Sequence, residues 1–165
     1  MDMQQLTDRL AITDVIALLS RAVDRADRET IVSCYAEDSF DDHGDWFKGS
    51  GREFANWVCD TSSPMKSMLH CLCQQLFDIQ GDEAFVETAH VVDGVTQEGQ
   101  LIHSSGRYID HLRKIDGRWV IKYRQVVAEW SGPVEAKNFL GSGGIASTRD
   151  QSDPVYRKLR WPTEG

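Results

Sequence analysis

From residue 66 onward the chain reads as strand almost without interruption, and that run constrains the fold more than any other feature. Residues 66–80, 83–92, 101–113 and 118–130 are each β-rich or alternating, and the turns "QGDE", "DGVTQEGQ" and "KIDG" separate them. Connections this short join antiparallel neighbours, because a parallel crossover needs a dozen residues or more. The expectation is a four-strand meander. Upstream of Pro64 the pattern is helical instead. Ile12, Val15, Ile16, Leu19, Ala22, Val23 and Ala26 recur at three- and four-residue spacing, an amphipathic helix. Residues 28–36 place Ile31, Val32 and Tyr35 on one face of a second, short helix, and "SFDDHGDWFKG" reads as a short strand or hairpin. "SGREFANWV" then offers a capping box, Ser50 with Glu53, and an apolar face of Phe54, Trp57 and Val58. Three helices followed by such a meander make an α+β domain, with the helices packed on a curved, mainly antiparallel sheet.

That domain is expected to occupy residues 1–130. Residues 131–165 contain "GSGG" and "SDPVYRKLRW" and read as a tail that docks on the same domain through Val155, Tyr156, Leu159 and Trp161. A net charge of −8 argues against nucleic acid, whose binding depends on neutralising phosphates, and equally against an anionic membrane surface. No run approaches the ~18 apolar residues of a spanning helix, and "MDMQQLTDRL" lacks the basic start of a signal peptide, so a cytoplasmic protein is expected. Cys34, Cys59, Cys71 and Cys73 fit that compartment as reduced thiols. Cys71 and Cys73 form only a C-x-C, share one strand face, and are expected as buried small hydrophobes rather than metal ligands.

Strict alternation over residues 67–79 puts Leu69, Cys71, Cys73, Phe77 and Ile79 on one face. Met68, His70, Leu72, Gln74 and Leu76 fall on the other. Both faces are largely apolar, so both are expected to be covered, one by the helices and the other by a second subunit. A homodimer is the natural arrangement. His70 would point among apolar neighbours, either as a core or edge histidine satisfied by a backbone carbonyl or as a working group.

The residue that fits least well is an acid. In "RAVDRADRETI", Asp24 stands at a helix C-terminus, where the macrodipole favours a cation. Asp27 has an ordinary role there, capping the helix that begins with Glu29 and Thr30 in its first turn. Ideal helical geometry sets Asp24 away from the apolar stripe near Leu19 and Val23. It should then lie in solvent beside Arg21 or Arg25, unless the helix unwinds or bends around residues 22–24.

Taken together, "RAVDRAD", "YAEDSFDDHG", "MLHCLCQQLFDIQGDEAFVET" and "GRYIDHLRKIDGRWVIKYRQVV" resemble the SnoaL-like branch of the nuclear transport factor 2 superfamily over about residues 5–130. "RDQSDPVYRKL" resembles the tail of many members. The resemblance implies a cone, a bent sheet wrapped around helices with an apolar pocket at its open end. Relatives such as scytalone dehydratase, bile acid 7α-dehydratase and hexachlorocyclohexane dehydrochlorinase share an Asp at the end of the first helix and a His on the strand after the third. Asp24 and His70 fall on those positions. There the histidine takes a proton from carbon and the aspartate orients it. His43 falls where scytalone dehydratase holds its catalytic water with a tyrosine; a histidine can do the same, or can sit exposed beside Asp42 and Asp45. Tyr108 falls near a substrate-contacting position, and His90 has the strand parity of a second histidine. Leu72 and Phe54 are taken as apolar lining. So is Leu19, which stands where the bile acid enzyme has a catalytic tyrosine, a departure from that enzyme's mechanism.

What the resemblance implies is a cofactor-independent lyase of the dehydratase type, or an isomerase, acting on a hydrophobic cyclic molecule such as a steroid, terpenoid or polyketide. It implies no metal. Two other readings use the same fold: a non-catalytic binding or assembly subunit, like the trimeric small subunits of ring-hydroxylating dioxygenases, and a polyketide cyclase with an aspartate as acid–base group. The trimer is the alternative to the dimer.

Overall fold

A computed structural model describes residues 2–62, 65–134 and 148–157. Helix α1 (Met3–Asp24) starts on Asp2, whose side chain accepts from the Gln5 N–H while the Gln5 side chain reaches back to Asp2. Helix α2 (Arg28–Ser33) is capped by Asp27, which accepts from Thr30. Strand β1 (Tyr35–Asp42) turns into the two-residue β2 (Lys48–Gly49) as a hairpin. Tyr35 therefore opens a strand rather than closing the second helix. Helix α3 (Gly51–Thr61) carries the Ser50–Glu53 capping box.

The meander follows as β3 (Met65–Gln80), β4 (Glu83–Thr96), β5 (Leu101–Ile115) and β6 (Arg118–Val134). In the turn between β5 and β6, Asp116 and Gly117 both have positive φ (50° and 78°), as the hairpin turns that match strand twist require. The six strands form one curved, unclosed sheet in the order β2-β1-β6-β5-β4-β3, antiparallel except where β1 runs parallel to β6. Three helices lie against its concave face, and Ile12, Ile16, Leu19, Ile31, Leu112 and Ile121 are wholly buried between the layers. Trp119 Nε1 donates to Asp8 at 2.9 Å and Lys114 pairs with Asp8 at 2.6 Å, fastening α1 to the β5–β6 hairpin.

Irregular register bends the sheet, because an extra residue in one strand increases local twist. One such shift lies between Leu72 and Gln75 in β3. It corrects the alternation read from sequence. Met68, His70 and Leu72 face inward as expected, but beyond the bulge Gln75, Phe77 and Ile79 turn inward and Gln74 and Leu76 turn out. Cys71 and Cys73 are exposed on the outer face, not buried, beside Leu69. No helix among the described residues is long and apolar enough to cross a membrane. Of the tail, Leu159, Trp161 and the "GSGG" stretch lie outside the described residues, as does the Val155 side chain.

Candidate active site

Asp24 is buried, with 3% of its surface exposed. The helix does not unwind to put it there, which corrects the expectation from ideal geometry: α1 is regular through Asp24. Instead the buried arc near the helix end takes in Ser20, Ala22 and Asp24, on the flank of α1 that meets β3 through Arg9 and Phe77, Thr13 and Gln75, and Asp24 and His70. The helix stops in a Schellman motif. Asp27 N–H bonds the Ala22 carbonyl at 2.8 Å and Ala26 N–H bonds Val23 at 3.1 Å, with Ala26 itself left-handed at φ 52°.

Besides Arg21 in the last turn and Arg25 at the C-cap, this helix end receives a cation from far along the chain. Arg149 Nε donates to the Asp24 carbonyl at 3.1 Å and Nη2 to the Val23 carbonyl at 3.2 Å. The same guanidinium bonds Ser62 Oγ at 2.8 Å and the Ser62 carbonyl, tying α1 to the end of α3. Arg25 pairs with Asp153 at 3.5 Å, and the Tyr156 hydroxyl donates to Asp27 at 3.0 Å. Arg149 of the tail thus adds to Arg21 and Arg25 in answering the helix dipole, and it bonds the Asp24 carbonyl while the side chain faces inward.

Both oxygens of the Asp24 carboxylate are taken by one residue of β3. His70 Nδ1 lies 2.6 Å from Oδ1, and the His70 backbone N–H donates to Oδ2 at 3.0 Å. A carboxylate only accepts, so Nδ1 carries the proton in this contact and Nε2 of the neutral ring is left as a base. His70 lines a cavity of about 230 Å³. Leu19, Val23, Phe54, Trp57, Met68 and Val126 supply much of its apolar wall. His43, His90, Tyr108 and Arg124 supply polar groups. Leu72, expected as lining, instead packs against the core beside His70.

The polar groups are themselves ordered. Arg124 holds Asp110 through two 2.7 Å bonds, both residues buried, and that partner keeps the guanidinium charged against the cost of burial. Its charge lies over the Tyr108 ring, 4.1 Å from the centroid, and His90 stacks on the same ring at 3.9 Å. Burial holds the Tyr108 hydroxyl protonated well beyond neutral pH. His90 is pushed down to about 4 by burial and then by the nearby His70, Arg124 and His43, so it is neutral at pH 7. Its Nδ1 is buried with no hydrogen-bond partner among the described residues. Gly106 makes room for it, since a Cβ there would sit 3.3 Å from His90 Nε2 and 2.4 Å from the Val127 carbonyl.

His43 does not sit exposed beside Asp42 and Asp45. Its Nδ1 is 2.5 Å from Asp41, while Asp42 pairs with Lys48. Arg124, Trp46 and Trp57 were not expected in the site from sequence. The inward parity of Arg124 opposite Asp110 was the available signal, but it needs the β5–β6 register to be read. Among the described residues no three His, Cys, Asp or Glu side chains converge as a metal ligand set.

A family model described as a SnoaL-like domain matches residues 4–125. A structure carrying a provisional scytalone dehydratase assignment, from Novosphingobium aromaticivorans DSM 12444, is similar at 18% identity and TM-score 0.73, over 86% of this chain and 97% of that one. The hexachlorocyclohexane dehydrochlorinase LinA-type3 from Novosphingobium barchaimii LL02 is similar at 17% identity and TM-score 0.76, over 86% and 99%. A function-unknown protein from Mycobacterium tuberculosis reaches 27% identity and TM-score 0.67, over 76% and 74%. No curated protein matches.

Proposed function

The chain belongs to the SnoaL-like family, and from that premise we propose that it is a lyase in which His70, oriented by Asp24, removes a carbon-bound proton from a hydrophobic cyclic substrate. The observation that carries this reading is the two-point grip of Asp24 on His70 at the wall of an apolar cavity. The grip fixes both the tautomer and the ring plane, so that Nε2 is presented to whatever fills the cavity. As the proton arrives, Asp24 stabilises the imidazolium, the role a carboxylate plays behind any histidine base.

Proton removal from carbon needs the charge that develops to be held. A carbonyl next to the reacting carbon would let it pass to oxygen. The Tyr108 hydroxyl and a ring N–H of the neutral His90 are donors suited to that oxygen, with the Arg124 charge behind them. The cavity is smaller than the ~300 Å³ at which drug-sized sites begin, which favours one or two rings over a full steroid skeleton. Elimination of water from a β-hydroxy cyclic ketone is the reaction we assign, with dehydratase and dehydrochlorinase neighbours as the supporting analogy.

Conversion of such ketones to conjugated enones, followed by ultraviolet absorbance, tests the reading. His70→Ala should lower kcat/KM by about 10²–10⁴-fold, the usual worth of a positioned base. Asp24→Asn keeps the shape but not the charge and should cost nearly as much. Full activity in both variants would end the proposal.

A further inference from the structure

The cavity holds a second histidine anchored by a carboxylate, and the role proposed for Asp24 and His70 leaves it unused. His43 Nδ1 lies 2.5 Å from Asp41 Oδ1, and the Tyr35 hydroxyl donates to Asp41 Oδ2, also at 2.5 Å. Asp41 has no exposed surface. Burial, followed by the Asp41 charge, holds the Tyr35 phenol protonated, so it can only donate in this contact. The imidazole is fixed in plane by Phe54, stacked on it at 4.9 Å. A wholly buried carboxylate costs several kcal/mol unless its partners are well placed, and these two partners take one oxygen each. With Nδ1 committed to Asp41, Nε2 is the nitrogen His43 can offer to the cavity it lines.

The two histidines reach this cavity from far apart in the sheet. His70 is on β3, one edge, and His43 follows β1, next to the other edge, so curvature of the sheet brings them to one space. A single base is enough to remove a proton. A second imidazole, ordered as carefully as the first, has a use when the group that leaves is poor. Halide and carboxylate depart readily unaided, whereas hydroxide is a far poorer leaving group and departs much faster when it is protonated as it goes.

We propose that His43, held by Asp41 and Tyr35, is the acid that protonates the departing oxygen, and that the group eliminated is therefore a hydroxyl. This rests on the reading of His70 as the base. In the step, the α-proton passes to His70 Nε2 and the C–H pair moves into the enolate whose oxygen Tyr108 and His90 are proposed to hold; as the enolate collapses, that pair forms the new C=C bond. The C–O bond breaks, its electron pair stays on oxygen, and the Nε2 proton of His43, which enters the step as the imidazolium paired with the Asp41 carboxylate, makes that oxygen water and leaves a neutral ring. Afterwards His70 gives its proton to solvent and His43 takes one back, so the enzyme is unchanged.

The test compares two substrates that yield the same enone, a cyclohexanone with a β-hydroxyl and its β-acetoxy ester, with deuterium exchange at the α-carbon measured alongside in D₂O. His43→Gln should slow the hydroxy reaction by about 10²–10⁴-fold and the acetoxy reaction and the exchange far less. Tyr35→Phe, which keeps the histidine and one anchor of Asp41, should slow the hydroxy reaction selectively and by a smaller factor. Equal slowing of both substrates, or of neither, would overturn the proposal by leaving His43 a packing or binding role. Exchange by the wild type without loss of the β-hydroxyl would also overturn it, since the base would then work with no acid. Absence of exchange in the wild type would instead sink the reading of His70, and this proposal with it.

Discussion

At the scale of single residues, the site is built from groups whose placement departs from local rule. Asp24 is legible as a misfit in "RAVDRAD" but not as a buried one, because helical periodicity marks the apolar stripe and not the polar flank of Arg9, Thr13 and Asp24 that meets β3. Asp41 was not legible at all. Five acids crowd "EDSFDDHGD", and the register shift between Tyr35 and Phe40 removes the alternation that would have shown which one turns inward. His90 carries a prediction of its own. Folded, it ionises near 4, against 6.5 for the ordinary side chain, so between those values the unfolded chain binds a proton that the folded one does not. Stability should therefore fall as pH drops from about 6.5 toward 4 and lose no more on this account below that. His90→Gln should flatten the fall. Urea midpoints at pH 7 and pH 5 measure it, and an identical loss in variant and wild type would assign the acid sensitivity elsewhere.

At the scale of elements, the four long strands, their turns and both caps of α2 and α3 were readable from alternation, Asp-Gly and the Ser50–Glu53 spacing, all local signals. What local signals cannot carry is pairing across the chain: β1 against β6, the bulge in β3 that exposes Leu76, or Arg149 at the end of α1. The Schellman end of α1 is a compromise of another kind. Ala26 adopts φ 52°, where an L side chain costs roughly 1–2 kcal/mol and glycine does not. Ala26→Gly is expected to stabilise the fold by about 1 kcal/mol, or about 2–4 °C in Tm for a chain of this size, less what glycine loses through the freedom of the unfolded state. A lower Tm in a thermal melt would mean that the Ala26 methyl makes a contact worth more than the strain.

At the scale of the whole molecule, one curved sheet does two things. Its concave face gathers His43, His90 and His70 from three strands or their ends around one cavity. Its outer face presents Leu69, Leu76 and Phe85, each about half exposed or more, and is where a second copy of the chain is expected to sit. Light scattering in solution reads this directly: an assembly is expected, and a monomer at micromolar concentration would contradict it. The two-sided character of the sheet was visible in composition, but which residues belonged to which side depended on the bulge. The proposed function uses the concave side, where His70, oriented by Asp24, would take a proton from carbon. NMR of a cyclic ketone in D₂O measures that transfer without requiring any group to leave. Wild-type protein should exchange the α-proton for deuterium, with the rate lowered by about 10²–10⁴-fold in His70→Gln and nearly as much in Asp24→Asn. Exchange at the wild-type rate in both variants would contradict it.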